Sequence, residues 1–170
     1  DNGRCFASSR KLTVQRDPEN WYQLEEATEH PLSELDAVLM RKDPPFDTEY
    51  IYATYLLERA EDEGCLIVNK PQSLRDANEK LFTAWFSEFT PTTLVTRSSQ
   101  KIREFHAKHK DVILKPLDGM GGASIFRIKE NDANIGVIIE TLTEHQQRYC
   151  MAQKFIPEIK EGDKRILIVD

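Results

Sequence analysis

Apolar residues in this chain come in short runs, separated by polar stretches that carry the prolines and glycines. "LDAVLM" (35–40) is one such run. It ends at Arg41-Lys42-Asp43 and Pro44-Pro45, the pattern of a buried strand that empties into a loop. Asp47 then occupies a natural helix N-cap position. Tyr50, Ala53, Tyr55, Leu56, Leu57 and Ala60 provide apolar surface for a helix running to about Glu63, and Gly64 fits the position just past its end. "CLIVN" (65–69) is a second short buried strand. Strand, helix and strand in this order predict a βαβ unit with a parallel sheet.

The pattern changes after Pro71. "SLRDANEKLFTAWF" predicts one or two helical turns leading into an amphipathic helix, with Leu81, Phe82, Trp85 and Phe86 on its apolar side and Lys80 on the helix. "TLVT" (93–96) is a short strand, and Ser98 or Ser99 caps a helix near 100–109 with Ile102 and Phe105 inward. "VILKPL" and "SIFRIK" form an antiparallel pair around a glycine loop. "GVIIETLTEH" returns to helix, and "YCMAQKF" and "KRILIVD" predict two further strands. There is no internal repeat, and the natural division falls near residues 70–78. "DNG" at the start is a good hairpin-turn sequence.

Composition narrows the function classes. The 170 residues suffice for one compact domain or two small ones, and 39% hydrophobic with 31% charged residues is a globular balance. No stretch approaches the ~18 apolar residues needed to cross a bilayer, and the polar first ten residues do not form a signal peptide, so a cytoplasmic location is expected. A net charge of −6 argues against nucleic acid or an anionic membrane as partner. Any phosphate-bearing ligand therefore needs a local cationic pocket. Cys5, Cys65 and Cys150 are far apart and odd in number, which fits buried free thiols better than disulfides or zinc.

The candidate chemistry lies in "LKPLDGMGGASIF" (114–126). Strand alternation puts Val112 and Leu114 on one face and Ile113 and Lys115 on the other. Lys115 thus shares a face with apolar neighbours, where an ammonium needs an anionic partner. Gly119, Gly121 and Gly122 let successive amides turn toward one point, so lysine and loop together make a phosphate cradle. The lysine precedes the glycines, unlike the P-loop, and the dinucleotide spacing is absent. Taken alone, the loop fits a glycine-rich hairpin with Lys115 in solvent equally well. Lys80 alone reads as a solvated helix lysine, and Glu158 to Arg165 as a solvated charged turn.

In combination, "RKDPP", "NKP", "NEKL", "LKPLDGMGG" and "ETLTEHQQRYCMAQKFIPEIKEGDKRILIVD" resemble the bacterial glutathione synthetase family of the ATP-grasp superfamily, nearly continuously from Leu35 to Asp170 and more weakly over 1–34. The resemblance implies an α/β fold of ATP-grasp type. A partial parallel-sheet N-terminal, substrate-side domain (1–77) would be followed by a small α+β lid subdomain (78–150) and the start of the C-terminal ATP-grasp subdomain (151–170). It implies an ATP-dependent ligase that joins γ-glutamylcysteine and glycine through an acyl phosphate, as a homo-oligomer when full-length. By position, Lys80 and Lys115 match the two ATP lysines, and Asp118, Gly119, Met120, Gly121, Gly122 and Ala123 match the loop that closes over the phosphates. Gln153, Lys154, Phe155 and Ile156 match the adenine hinge and Asp163 the ribose-binding acid. Arg165 would face the reacting phosphoryl or substrate carboxylate. Arg41, Lys42 and Asp43 are candidates for the dipeptide, with a loop ion pair as the alternative. The Mg²⁺ ligands are expected after Asp170, so the chain reads as an internal fragment, inactive by itself.

Two other classes stay open at this point: an ATP-grasp module that holds nucleotide without catalysis, and another carboxylate–amine ligase of the superfamily. His106 and His109, at i, i+3 on a helix, read as surface residues for want of a third ligand. Trp21, Trp85 and the aromatics of Tyr50–Tyr55 read as core.

Overall fold

Asp47 caps a helix as its position predicts: its carboxylate accepts the Tyr50 N–H at 2.8 Å, and the helix runs Thr48–Asp62. The computed structural model describes residues 3–42, 45–119 and 121–167, and the chain divides into two units, 1–77 and 78–170.

The first unit opens with a β-ribbon. β1 (Phe6–Ser9) pairs antiparallel with β4 (Thr28–Pro31), and the nested pair β2 (Leu12–Val14) and β3 (Tyr22–Leu24) continues it. Ser9 faces Thr28, whereas the Lys11 carbonyl receives the Glu25 N–H, so one residue opposes two between the ladders, as in a bulge. The sequence pattern did not predict this ribbon. β5 (Ala37–Leu39), the helix α1 (Thr48–Asp62) and β6 (Leu66–Val68) form the predicted βαβ unit, with β5 and β6 parallel. Gly64 has φ +102, as the turn out of α1 requires. Cys5, Leu32, Leu57, Ala60, Cys65 and Ile67 form the core, and α2 (Pro71–Asp76) closes the unit.

The second unit is one antiparallel sheet with strand order β7 (Thr93–Thr96), β10 (Cys150–Lys154), β8 (Val112–Pro116), β9 (Phe126–Ile128). The division expected at 150/151 falls inside β10, which is hydrogen-bonded on both sides within this sheet. α3 (Ser99–His109), capped by Ser98, and α4 (Ile135–Thr143) pack on one face. Ile102, Ile139 and Leu142 meet Val112, Leu114, Ile128, Cys150 and Ala152 there. Val112 and Leu114 are fully buried beneath the helices, so Ile113 and Lys115 project from the helix-free face.

Three expectations are corrected. The amphipathic helix over the "NEKLFTAWF" stretch is instead a 3-10 segment, Leu81–Phe89, broken at Phe86 (φ −120, ψ 49), and Lys80 sits just before it. Side chains divert the backbone. The Asn78 carboxamide accepts the N–H groups of Lys80 (3.1 Å) and Leu81 (2.8 Å), and the Thr83 hydroxyl donates to the Lys80 carbonyl at 2.6 Å, competing with the α-helical pattern. The aromatics assigned to the core also come out differently. Tyr50 is buried, but Trp21, Tyr52, Tyr55 and Trp85 are exposed: Tyr52 and Tyr55 lie off the face of α1 that buries Tyr50, Thr54, Leu57 and Ala60, and the segments at Trp21 and Trp85 bury no residue. The strand expected at "KRILIVD" does not form over Lys164–Leu167; Ile168, Val169 and Asp170 lie outside the described residues.

Candidate nucleotide site

β8 sets the position of Lys115. On the helix-free face it stands opposite Met151 of β10, two residues from Ile113, which stands opposite Gln153. A cavity of about 260 Å³ opens there, with apolar walls from Pro91, Ile113, Ile125, Phe155 and Ile159, and Lys115, Gln153, Lys154 and Ile156 also in its lining. Burial, and secondarily the charge of Lys80, hold the Lys115 ammonium below the ordinary lysine range. Two cations from separate elements therefore share one field, an arrangement that favours an anion between them.

Lys80 is itself well covered, and its Nζ donates to the Gly119 carbonyl at 2.7 Å and lies 3.4 Å from Glu79 Oε1. The glycine loop begins at that carbonyl. Gly119, Gly121 and Gly122 have φ of +92, +70 and +79, and added Cβ atoms would meet nothing within 4 Å. The backbone conformation, not crowding, demands glycine here. Arg148 binds Asp118 at the start of the loop and Glu144 at the end of α4, so one end of the loop is tied to the helical layer. Both carboxylates hold the Arg148 guanidinium above its usual range, through the Glu144 hydrogen bond first.

At the hinge, the Lys154 N–H is taken by the Thr92 carbonyl (2.9 Å) and the Phe155 N–H by the Asp111 carbonyl (3.0 Å). Among the described residues, the Ile156 N–H has no hydrogen-bond partner. It is thus a donor at the rim of an apolar cavity, suited to one acceptor of a planar heterocycle. Cation pair, glycine loop, apolar slot and open hinge amide all belong to the second unit.

The model of the prokaryotic glutathione synthetase ATP-grasp domain matches residues 79–170, and that of the N-terminal domain of the same family matches 1–75. The chain belongs to the prokaryotic glutathione synthetase family. Among curated relatives, the glutathione synthetase of Photorhabdus laumondii is 69% identical over 168 residues, covering 99% of this chain and 53% of that protein. That of Vibrio parahaemolyticus is 68% identical over 170 residues, covering 100% and 54%. The chain thus spans about half the length of the relatives it matches. The solved structure of D-cycloserine synthetase DcsG aligns with a TM-score of 0.59 at 16% identity, over 75% of this chain and 46% of that one, a likeness of fold alone. The fold is α/β of ATP-grasp type.

Several other residues expected of the site do not line this cavity. Asp163 and Arg165 lie on the exposed irregular segment after the 3-10 turn Pro157–Glu161 and do not line the cavity. Gly121, Gly122 and Ala123 are exposed. Arg41 is exposed in the first unit, while Lys42 lines a separate cavity of about 490 Å³ there, together with Arg4, Cys5 and Phe6. Asp43 and Met120 lie outside the described residues.

Membership in an ATP-grasp family implies the use of ATP and Mg²⁺ in general. Among the described residues no group of three or more His, Cys, Asp or Glu could hold a metal ion, so none of them is assigned to Mg²⁺. No described helix is long and apolar enough to cross a membrane.

Sequence reasoning missed Arg148, Asp111 and Arg127 beside the site. Their roles depend on contacts between elements. Only the alternation in "SIFRIK", which puts Arg127 opposite to Phe126 and Ile128, hinted at one of them.

Proposed function

We propose that this chain supplies the nucleotide-holding part of an ATP-dependent ligase that joins γ-glutamylcysteine to glycine through an acyl phosphate. The observation that carries the reading is the Lys80 ammonium seated on the glycine loop with Lys115 within reach of its charge, beside an apolar slot lined by Lys115 and by Ile156, whose amide is open. The base would enter the slot and accept from Ile156 N–H. The polyphosphate would run past Lys115 to Lys80 and the amides of 118–123. Asp163 and Arg165 complete the reading as ribose acid and as the cation facing the reacting phosphoryl, which requires the segment after Glu161 to fold toward the cavity. Arg41, Lys42 and Asp43 would serve the dipeptide in the first unit.

A carboxylate is a poor electrophile at neutral pH. In the proposed reaction, an oxygen of the cysteinyl carboxylate attacks the γ-phosphorus, forming an O–P bond while the bond to ADP breaks. The glycine amine then attacks the acyl carbon, phosphate leaves, and the amine gives up a proton. Phosphoryl transfer of this kind needs positioning and charge neutralisation more than covalent help. Lys80, Lys115 and the loop amides provide both for the phosphates. Bound Mg²⁺ would add further neutralisation, from ligands outside these residues.

The test uses the full-length protein with ATP and γ-glutamylcysteine, replacing glycine by hydroxylamine. A hydroxamate of the cysteinyl carboxylate, formed in step with ADP and only when the dipeptide is present, is the expected result. ADP release independent of the dipeptide would overturn the ligase reading.

A further inference from the structure

Arg127 lies on β9 opposite Ile113, and therefore on the same helix-free face as Lys115. Its Nε and Nη2 donate to the two Asp111 carboxylate oxygens at 2.9 and 2.6 Å, a fork-to-fork pair that fixes the guanidinium plane. The centre of that plane lies 3.5 Å from the centroid of the Phe155 ring. Asp111 is also the residue whose backbone carbonyl receives the Phe155 N–H at 3.0 Å. One residue thus secures Phe155 twice, by its main chain directly and by its ring through Arg127. Phe155 walls the cavity and immediately precedes the unpartnered Ile156 amide.

We propose that Arg127 is a positioning residue for the nucleotide base: locked by Asp111, it braces the Phe155 ring and so sets both the width of the slot and the direction of the Ile156 N–H. Without the guanidinium plane, the ring can turn into space that a heterocycle would fill. Lysine cannot substitute, since a flexible ammonium offers neither the fork nor the plane. This role rests on the cavity being a base site, and it assigns Arg127 to recognition of the base and not of the phosphates.

The experiment compares binding of ATP and of inorganic tripolyphosphate, which carries the phosphates without a base, to the full-length protein by calorimetry. Arg127→Ala removes brace and charge. Arg127→Lys keeps the charge, so general attraction for anions is preserved. Both variants are expected to lower the ratio of ATP to tripolyphosphate affinity about tenfold, and in Arg127→Lys tripolyphosphate affinity itself should stay within about twofold. Loosening of the whole unit would weaken both ligands alike and leave the ratio unchanged. An unchanged ratio in a variant that melts as the wild type does overturns the positioning role while leaving the base site standing. A wild-type protein that binds the two ligands equally well overturns the base site, and this role with it.

Discussion

The Lys80 Nζ donates to the Gly119 carbonyl oxygen at 2.7 Å, joining residues 39 positions apart in the chain. The ammonium that would hold a phosphate is therefore already seated on the loop that would close over it. Lys80→Met removes both the cation and the seat, and Lys115→Met removes the second cation. Each is expected to weaken ATP binding to the full-length protein by about tenfold or more, the effect of losing one charge-assisted contact. Because both act on one polyphosphate, their effects should not add in the double variant. Calorimetric titration with ATP decides it. Wild-type affinity in either single variant removes that lysine from the site.

Glycine at 122 is required by conformation. With φ at +79 and open space around an added Cβ, Gly122→Ala meets a backbone penalty of about 1–2 kcal/mol and no steric clash. The loop is exposed, so when empty it can relax out of this conformation at little cost; the melting temperature should hold while ATP affinity, which needs the conformation, falls roughly tenfold. Gly122→Asn should recover part of the loss, since asparagine tolerates left-handed backbone. Equal affinities for alanine and glycine would mean that the liganded loop does not use this conformation.

The parts legible in the sequence were those fixed by near neighbours. Asp47 and Ser98 cap their helices because a short side-chain oxygen reaches an amide three residues on. "VILKP" announces its own two faces, and so delivers Lys115 to the apolar side of the site. The exposed 3-10 segment after Lys80 was misread because Phe82, Trp85 and Phe86 repeat at helical spacing, while Asn78 and Thr83 capture the backbone bonds on which that helix depends. The ribbon over 6–31 was missed because "FASS" lacks apolar alternation and "LTV" and "YQL" alternate over only three residues, too few to read as strands, and their pairing is settled across the turn. The brace of Asp111, Arg127 and Phe155 needs three segments to meet, and no local pattern encodes it.

In the first unit, Arg75 joins α1 to α2. Its guanidinium donates to Thr54 Oγ1 at 3.1 Å and to Glu58 Oε2 and Gln72 Oε1 at 2.7 Å each, and lies over the Tyr55 ring at 4.6 Å. The arginine side chain is only 10% exposed and Glu58 is 37% exposed, so the pair is shielded on one side. Arg75→Ala should destabilise this unit by about 1–3 kcal/mol, between a surface pair and a buried one, because the arginine is covered while Glu58 is open to solvent. Hydrogen exchange of the α1 amides measures it directly. Protection reduced by less than about 1 kcal/mol would place the pair with ordinary surface ion pairs.

The lowered pKa of Lys115 makes two pH trends run in opposite directions. Between that lowered value and the ordinary 10.5, the folded chain binds fewer protons at this site than the unfolded chain does. Stability therefore gains from this group as pH rises through that window, and its penalty is present in full below it. Lys115→Met has no such penalty, so it should melt higher than the wild type near neutral pH, with the gap closing toward pH 10.5. ATP binding depends on the ammonium, so wild-type affinity should fall as pH climbs through the lowered value, earlier than for an ordinary lysine. Lys115→Met should lack that component of the fall. Melting curves and ATP titrations of both proteins from pH 7 to about pH 10 separate this from general alkaline loosening, which lowers stability and affinity together. A gap in melting temperature that is constant across the range would mean that the Lys115 charge is not disfavoured in the fold.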